Sequence, residues 1–453
     1  MQRPTSSYTA SPTRRQVVHP REQLVETLQR IYSTRLTTTS GGNLSLVDEE
    51  GDLWITPARV DKGNLRPQDI VRVKRDGSVE GLHPPSSELP FHRAIYAARP
   101  DLKAVVHAHP VALVAFSIVG RPPETSTLPH AAHVCGPVGF CPYHLPGSER
   151  LGAAIAETFA SGVNSVMLEN HGVVVGGEDL ASAFARFETL EFTARTLIRG
   201  AGLGIRNLTL AQVALAEKAM DLAARMPPGE RLMPFAPPGP PPATTREKEQ
   251  RQLVSEFVRR GYRQGLFTST EGSFSARVGP DAFVITAYGM DRKTCTADDL
   301  VLVVGDEFEP GKSPSRAVFI HRAIYRAHPG VEAVVNALPV CATAFSCSHQ
   351  RLDSRTIPES YLFLLDVPVA PFEAVYTDVH ALARMVGPKQ PVALTAHNGC
   401  LVVGRSVLDA FDRLEVLEAT ADALLSARQI GEVCPMDESR IAELRRAFAA
   451  LLG

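Results

Sequence analysis

Two histidines set two residues apart in a hydrophobic run, His107 and His109 of KAVVHAHP, are the side chains best placed to do chemistry in this chain. Alternate residues of an extended strand leave the same face, so both imidazoles can address one ion. The Ala-Val-Val run before them predicts a strand rooted in a core, which would hold them rigid, and Pro110 stops it. A third histidine, His171 of LENHG, stands beside Gly172, whose missing side chain lets the backbone approach closely. Three neutral imidazoles leave a fourth position open, the pattern of a catalytic zinc site. The competing reading of a bare HxH pair is two hydrogen-bonded histidines at a strand edge.

The chain tests that alternative against itself. HRAIYAARPDLKAVVHAHPVALVAFS, residues 92–117, matches HRAIYRAHPGVEAVVNALPVCATAFS, residues 321–346, at sixteen of twenty-six positions. SGGNLS from Ser40 parallels TEGSFS from Thr270, and AFARFETLEFTA from Ala183 parallels AFDRLEVLEATA from Ala410. The period is far longer than that of solenoid repeats, so a whole domain is duplicated head to tail. The second copy has Asn336, Leu338 and Asn398 where the first has His107, His109 and His171, while the surrounding Ala, Val, Pro and Gly residues stay. Joint loss of three histidines amid retained packing residues is what an abandoned metal site looks like.

The elements that must position these residues are legible too. Glu22–Arg35, Leu89–Ala98 and Leu180–Arg199 read as helices, DLWITP and KAVVHAHP as strands, and SVMLENHGVVVGG as a strand pair with a tight turn. Each copy is therefore an α/β layered domain with a sheet covered by helices. We expect a disordered leader at 1–20, a metal-binding domain at 21–230, a Pro-rich linker at 231–245 containing FAPPGPPPATT, and a degenerate domain at 246–453. The 453 residues are 44% apolar and 21% charged, with net charge −2. That balance gives no reason to expect nucleic acid or a membrane surface as partner. Seven cysteines without paired spacings fit reduced thiols and a cytoplasmic protein.

The combination SGGNLS, ITP, SSE before a helix, HAHP and the ENHG histidine resembles the class II aldolase/adducin family, the group of fuculose-phosphate aldolases and ribulose-phosphate 4-epimerases. The resemblance covers about residues 21–228 and, more weakly, 246–432. It implies two tandem three-layer α/β/α domains, each with a central mixed, largely antiparallel sheet. By it, His107, His109 and His171 bind one divalent metal per chain, zinc first, with manganese, cobalt or iron(II) as alternatives. Glu88 becomes an acid/base residue, and Asn43, Thr56, Ser86 and Ser87 candidates for holding a substrate phosphate. Tyr143 of GFCPYH corresponds to a tyrosine that donates a proton across a subunit boundary, and the second copy has Phe372 there.

Each role has a plainer counterpart. Ser87 could simply cap a helix, Glu88 could be a first-turn helix glutamate, and Tyr143 could be a core plug. Arg59 stands where the family's phosphate loop has glycine, so a carboxylate-bearing substrate is a rival. The implied activity is carbon–carbon cleavage through a metal-stabilised enediolate of a small phosphorylated or carboxylated hydroxy-carbonyl compound. Decarboxylation, epimerisation and iron-dependent oxygenation on the same site are alternatives, as is an adducin-like non-catalytic module. The expected partners are a small-molecule substrate and further copies of the chain, as a dimer of tandem chains forming a pseudo-tetramer or larger. His130, His133, Cys135, Cys141 and His144 read as a pocket-lining loop in preference to a second metal site.

Overall fold

The computed structural model describes residues 18–222 and 225–449. Most of the expected leader lies outside them. Two compact units form, one running to Ile198 apart from Thr127–Pro129, the other taking those three residues and the chain from Arg199.

In the first unit helix α1 (Pro20–Ser33) leads into strands β1 (Asn43–Val47), β2 (Leu53–Ile55), β3 (Val71–Val73) and β4 (Val79–Glu80). Then come α2 (Leu89–Ala98), β5 (Ala104–Ala108), α3 (Val111–Ile118), α4 (Pro129–Cys135), β6 (Val138–Cys141), α5 (Glu149–Ala160), β7 (Ser165–Leu168), β8 (Gly172–Gly177) and α6 (Leu180–Arg199). The eight strands form one sheet in the order β4-β3-β2-β1-β5-β8-β7-β6. All neighbours are antiparallel except β6 and β7.

Alternation along β5 divides the core in two. Ala104, Val106 and Ala108 face α1, α3 and α6, where Leu28, Phe116, Phe187 and Leu190 cover the sheet. Val105 faces α2 and α5 and packs with Phe91, Ile155 and Phe159. The result is a helix–sheet–helix sandwich. α3 begins two residues after His109, and two main-chain N–H groups of its first turn, at Ala112 and Leu113, donate to the buried carboxylate of Glu191 on α6. This fixes the direction in which the chain leaves the histidine strand.

The second unit repeats the plan with a nine-stranded mixed sheet. Ser273 lies opposite Asn336 there, as Asn43 lies opposite His107 in the first. Within the Pro-rich stretch, Met233–Pro234 adds an edge strand parallel to Glu307–Phe308. Phe372 is buried against Leu208 and Ala216. Cys341 and Cys347 are buried thiols.

Candidate active site

His107 is fully buried on β5, between β1 and β8. Its Nδ1–H donates to the Val173 carbonyl at 2.9 Å. That bond fixes the tautomer and leaves Nε2 as a bare lone pair, the usual arrangement behind a ligating imidazole. His109 follows the end of the strand and brings its Nε2 to 3.0 Å from that of His107. His171 comes from the β7–β8 turn, which Asn170 closes with a left-handed φ of 54°. One nitrogen from each ring lies within 4.8 Å of the others.

Burial first, then repulsion from His107 and His171, pushes His109 down to about 3. Burial and His107 push His171 down to about 4. Near neutral pH both rings are therefore uncharged and keep a lone pair. Nitrogens held tetrahedrally at about 2.1 Å from an ion stand roughly 3.4 Å apart. The close approach of His109 to the bare nitrogen of His107 is relieved by a cation shared between them, so the donor set fits a divalent metal with an open position.

Glu88 completes the cluster. It occupies the N-cap position of α2, yet its carboxylate turns toward the histidines, with Oε2 3.2 Å from His107 Nε2 and Oε1 3.6 Å from His171 Nε2. Asn43 Nδ2 donates to Oε2 at 2.6 Å. Burial tends to raise the Glu88 pKa, but His107, the Asn43 hydrogen bond and His171 outweigh it and hold the carboxyl below its ordinary value. Glu88 is thus a buried base facing the histidine cluster.

Behind it runs a chain of hydrogen bonds that the sequence reading passed over. Asn43 gives an amide hydrogen to Glu88, so its carbonyl oxygen accepts from His92 Nε2 at 2.5 Å. His92 Nδ1 then accepts from the Ser45 hydroxyl at 2.6 Å, and Ser45 accepts from Tyr96 at 2.7 Å. Burial lowers His92 to about 3, so it stays neutral in this role. The signal was present in the repeat: His321, Ser275 and Tyr325 make the same bonds in the second copy. Apart from Asn43, this support is built from residues retained in both copies, which the contrast between the copies does not pick out. Lys62 was also missed. It is buried, donates from Nζ to the Pro57 carbonyl at 2.8 Å, and is lowered by burial to about 8, with Glu88 pulling the other way.

The other expected site residues are placed unevenly. Ser86 is buried and its hydroxyl accepts from the Glu88 main-chain N–H at 3.3 Å. Ser87 is exposed and does not cap α2, whose N-cap residue is Glu88. The Thr56 hydroxyl accepts from Leu44 N–H at 3.1 Å. Arg59 is exposed with a left-handed φ of 58°, the backbone shape that Gly289 has at the corresponding place in the second copy. Tyr143 is 57% exposed and so is no core plug. Among the described residues, the histidines and cysteines of residues 130–144 do not gather into a metal cluster. The Cys141 thiol is pushed up to about 11 by burial.

Gly172 is required where it stands. A Cβ there would lie 2.7 Å from both the Ala108 carbonyl and His109 Cδ2. Gly172→Ala is expected to displace His109 and to cost ~1–3 kcal/mol through overpacking. Thermal unfolding and bound-metal analysis of this variant check it, and an unchanged midpoint with full metal would contradict it.

Residues 22–198 and 252–425 each match the family described as Class II Aldolase and Adducin N-terminal domain. The 3-oxo-tetronate 4-phosphate decarboxylase of Escherichia coli (strain K12) is 34% identical over 198 residues, 43% of this chain and 93% of the relative. The 5-deoxy-D-ribulose 1-phosphate aldolase of Bacillus thuringiensis serovar kurstaki is 34% identical over 188 residues, 41% of this chain and 86% of the relative. A solved L-fuculose 1-phosphate aldolase is 28% identical, with TM-score 0.41, covering 44% of this chain and 95% of its own. The chain belongs to the class II aldolase and adducin family, with two copies of the family domain in tandem, and is a lyase of the class II aldolase type.

Proposed function

We propose that the first copy is a divalent-metal-dependent lyase that decarboxylates a small 3-oxo sugar acid carrying a phosphate. The observation that carries this reading is the convergence of three imidazoles with the ionised Glu88. His107, His109 and His171 would hold the metal, zinc first, which supplies Lewis acidity toward a substrate carbonyl oxygen. Loss of CO₂ breaks the carbon–carbon bond to the carboxylate and leaves its electron pair on the neighbouring carbon, conjugated with the carbonyl. A proton must then be delivered there, and Glu88, held in place by Asn43, would relay it from solvent. Ser86, Ser87 and the first turn of α2 offer donors for the phosphate. The exposed guanidinium of Arg59 would take the carboxylate.

A substrate with both groups accounts for an arginine in a phosphate-type loop. Relatives named as 3-oxo-tetronate 4-phosphate decarboxylases support the reading. Aldol cleavage of a ketose phosphate is the second reading, favoured by relatives named as aldolases. The test is to supply the purified protein with 3-oxo-tetronate 4-phosphate and, separately, with 5-deoxy-ribulose 1-phosphate, following CO₂ and aldehyde release. Decarboxylation of the first at least about 100-fold faster than cleavage of the second is expected, a difference of about 2.7 kcal/mol in barrier. Aldehyde without CO₂ would overturn the primary reading.

The assembly proposed is a homo-oligomer of tandem chains. In its support, Val111 and Ile118 of α3 are 79% and 64% exposed, while their counterparts Val340 and Cys347 are buried. Among the described residues no helix is long and apolar enough to cross a membrane. A cytoplasmic location remains part of this proposal.

A further inference from the structure

The second copy has lost the acid and the histidines, yet it gathers two arginines. Arg316 stands at the position of Ser87, and Arg225 comes from the segment ahead of the second copy's first helix. Both are half-buried. Arg225 Nε donates to the Ala219 carbonyl at 2.5 Å, and its Nη1 reaches the main-chain carbonyl of Arg316 at 3.5 Å. The Arg225 guanidinium lies 5.3 Å over the ring of Tyr376, and that of Arg316 lies 5.1 Å over the ring of Tyr288. Arg316 also rests against Met220 Sδ.

The ionisable groups acting on Arg225 are Arg316, Tyr376 and Tyr288, with no carboxylate among them. Burial, and then the neighbouring Arg316, holds Arg225 down to about 10. Burial pushes the Tyr376 phenol up to about 12, so it brings no negative charge. Two other arginines of this unit have acids, Arg322 with Glu230 and Arg251 with Glu247 and Glu309, whereas the buried Arg277 bonds main-chain carbonyls. Among the described residues no carboxylate pairs with either arginine, and two adjacent, partly desolvated cations are costly unless an anion joins them. The carbonyls of Ala219 and Arg316 take Nε and Nη1 of Arg225, which leaves the Nη2 end of its ring-stacked guanidinium to meet that anion.

We infer that Arg225 and Arg316, braced by Tyr288 and Tyr376, form a binding site for a small phosphate-bearing anion in the copy that has lost its catalytic residues. The inference does not rest on the reaction proposed for the first copy. Two adjacent guanidinium groups match a doubly charged oxyanion in charge. The helix that begins at Val318, just after Arg316, adds its N-terminal dipole. The second copy would thus hold a phosphorylated metabolite without transforming it.

Calorimetric titration of the full chain with inorganic phosphate tests this. Three proteins are compared: wild type, Arg225→Gln/Arg316→Gln, and Ser86→Ala/Ser87→Ala as a control altered only in the first copy. Phosphate affinity should fall at least about tenfold in the arginine variant, since hydrogen bonds to a charged partner are worth that much. A binding event of wild-type affinity should survive in the serine variant. Circular dichroism establishes that each is folded. Should the double variant not fold, Arg316→Ser, which installs the first copy's residue, carries the same comparison. Unchanged phosphate affinity in a folded arginine variant overturns the proposal, as does loss of all phosphate binding in the serine variant.

Discussion

Replacing His109 with alanine is expected to strip the metal from the protein and lower turnover by at least about 10³-fold, the scale on which losing a main charge-stabilising group in a closed site falls. His109 is the cleanest of the three to remove. His107 is buried and bonded to the Val173 carbonyl, so its loss would open a cavity and orphan a main-chain acceptor. His109 lies beyond the last residue of β5, and its Nε2 meets His107 Nε2 and not the backbone. The fold should therefore survive. Elemental analysis should show about one divalent ion per wild-type chain and less than about a tenth of that in His109→Ala, because a two-imidazole site binds such ions far more weakly. The second copy lacks all three histidines and so holds no equivalent site, and the carboxylates of Asp48, Glu50 and Asp52, the other group close enough to share an ion among the described residues, are untouched by the substitution. A folded variant that retained both metal and activity would remove the basis for the enzyme reading.

Glu88→Gln separates chemistry from metal binding. The substitution keeps shape and lets the amide oxygen still accept from Asn43, but it removes the base. Proton transfer by a positioned side chain contributes about 10²–10⁴-fold, and kcat should fall by that factor while bound metal stays near its wild-type level. If metal were lost along with activity, Glu88 would be a ligand and the acid/base role would fail. Asn43→Ala offers a graded companion, since it leaves the carboxylate in place and removes only the group that aims it.

What the sequence could reveal here was the contrast between copies. His107, His109, His171 and Glu88 stand out because Asn336, Leu338, Asn398 and Ala317 replace them amid otherwise retained neighbours. Helix α2 and helix α6 were legible to the residue from apolar periodicity, and β5 from its Val-rich run ending at a proline. The support behind Glu88 was not legible in this way. Ser45, His92 and Tyr96 come from β1 and α2 and meet only once β1 pairs with β5, a register that no local pattern announces. Lys62 was hidden for a different reason: a lysine in a loop reads as solvated, and only its burial beneath the Pro57 carbonyl shows otherwise. That no carboxylate among the described residues pairs with Arg225 or Arg316 is likewise a property of three-dimensional neighbours, invisible in a net charge of −2.

The retained Tyr–Ser–His relay also explains why decay of the second site is hard to reverse. In the first copy the outward N–H of His92 is taken by Asn43; in the second, His321 gives its N–H to Asn336, at 2.9 Å, the residue that replaced the first histidine. Ser273, in place of Asn43, donates to or accepts from Thr286 instead. Putting histidine back at 336 alone would leave a buried N–H with no acceptor, a loss of about 1–3 kcal/mol before any metal could bind. Recovery would require asparagine to return at 273 in the same step. The hydrogen bond that tidied the interior after the ligand was lost is therefore a ratchet, and it holds the second copy on the non-catalytic side.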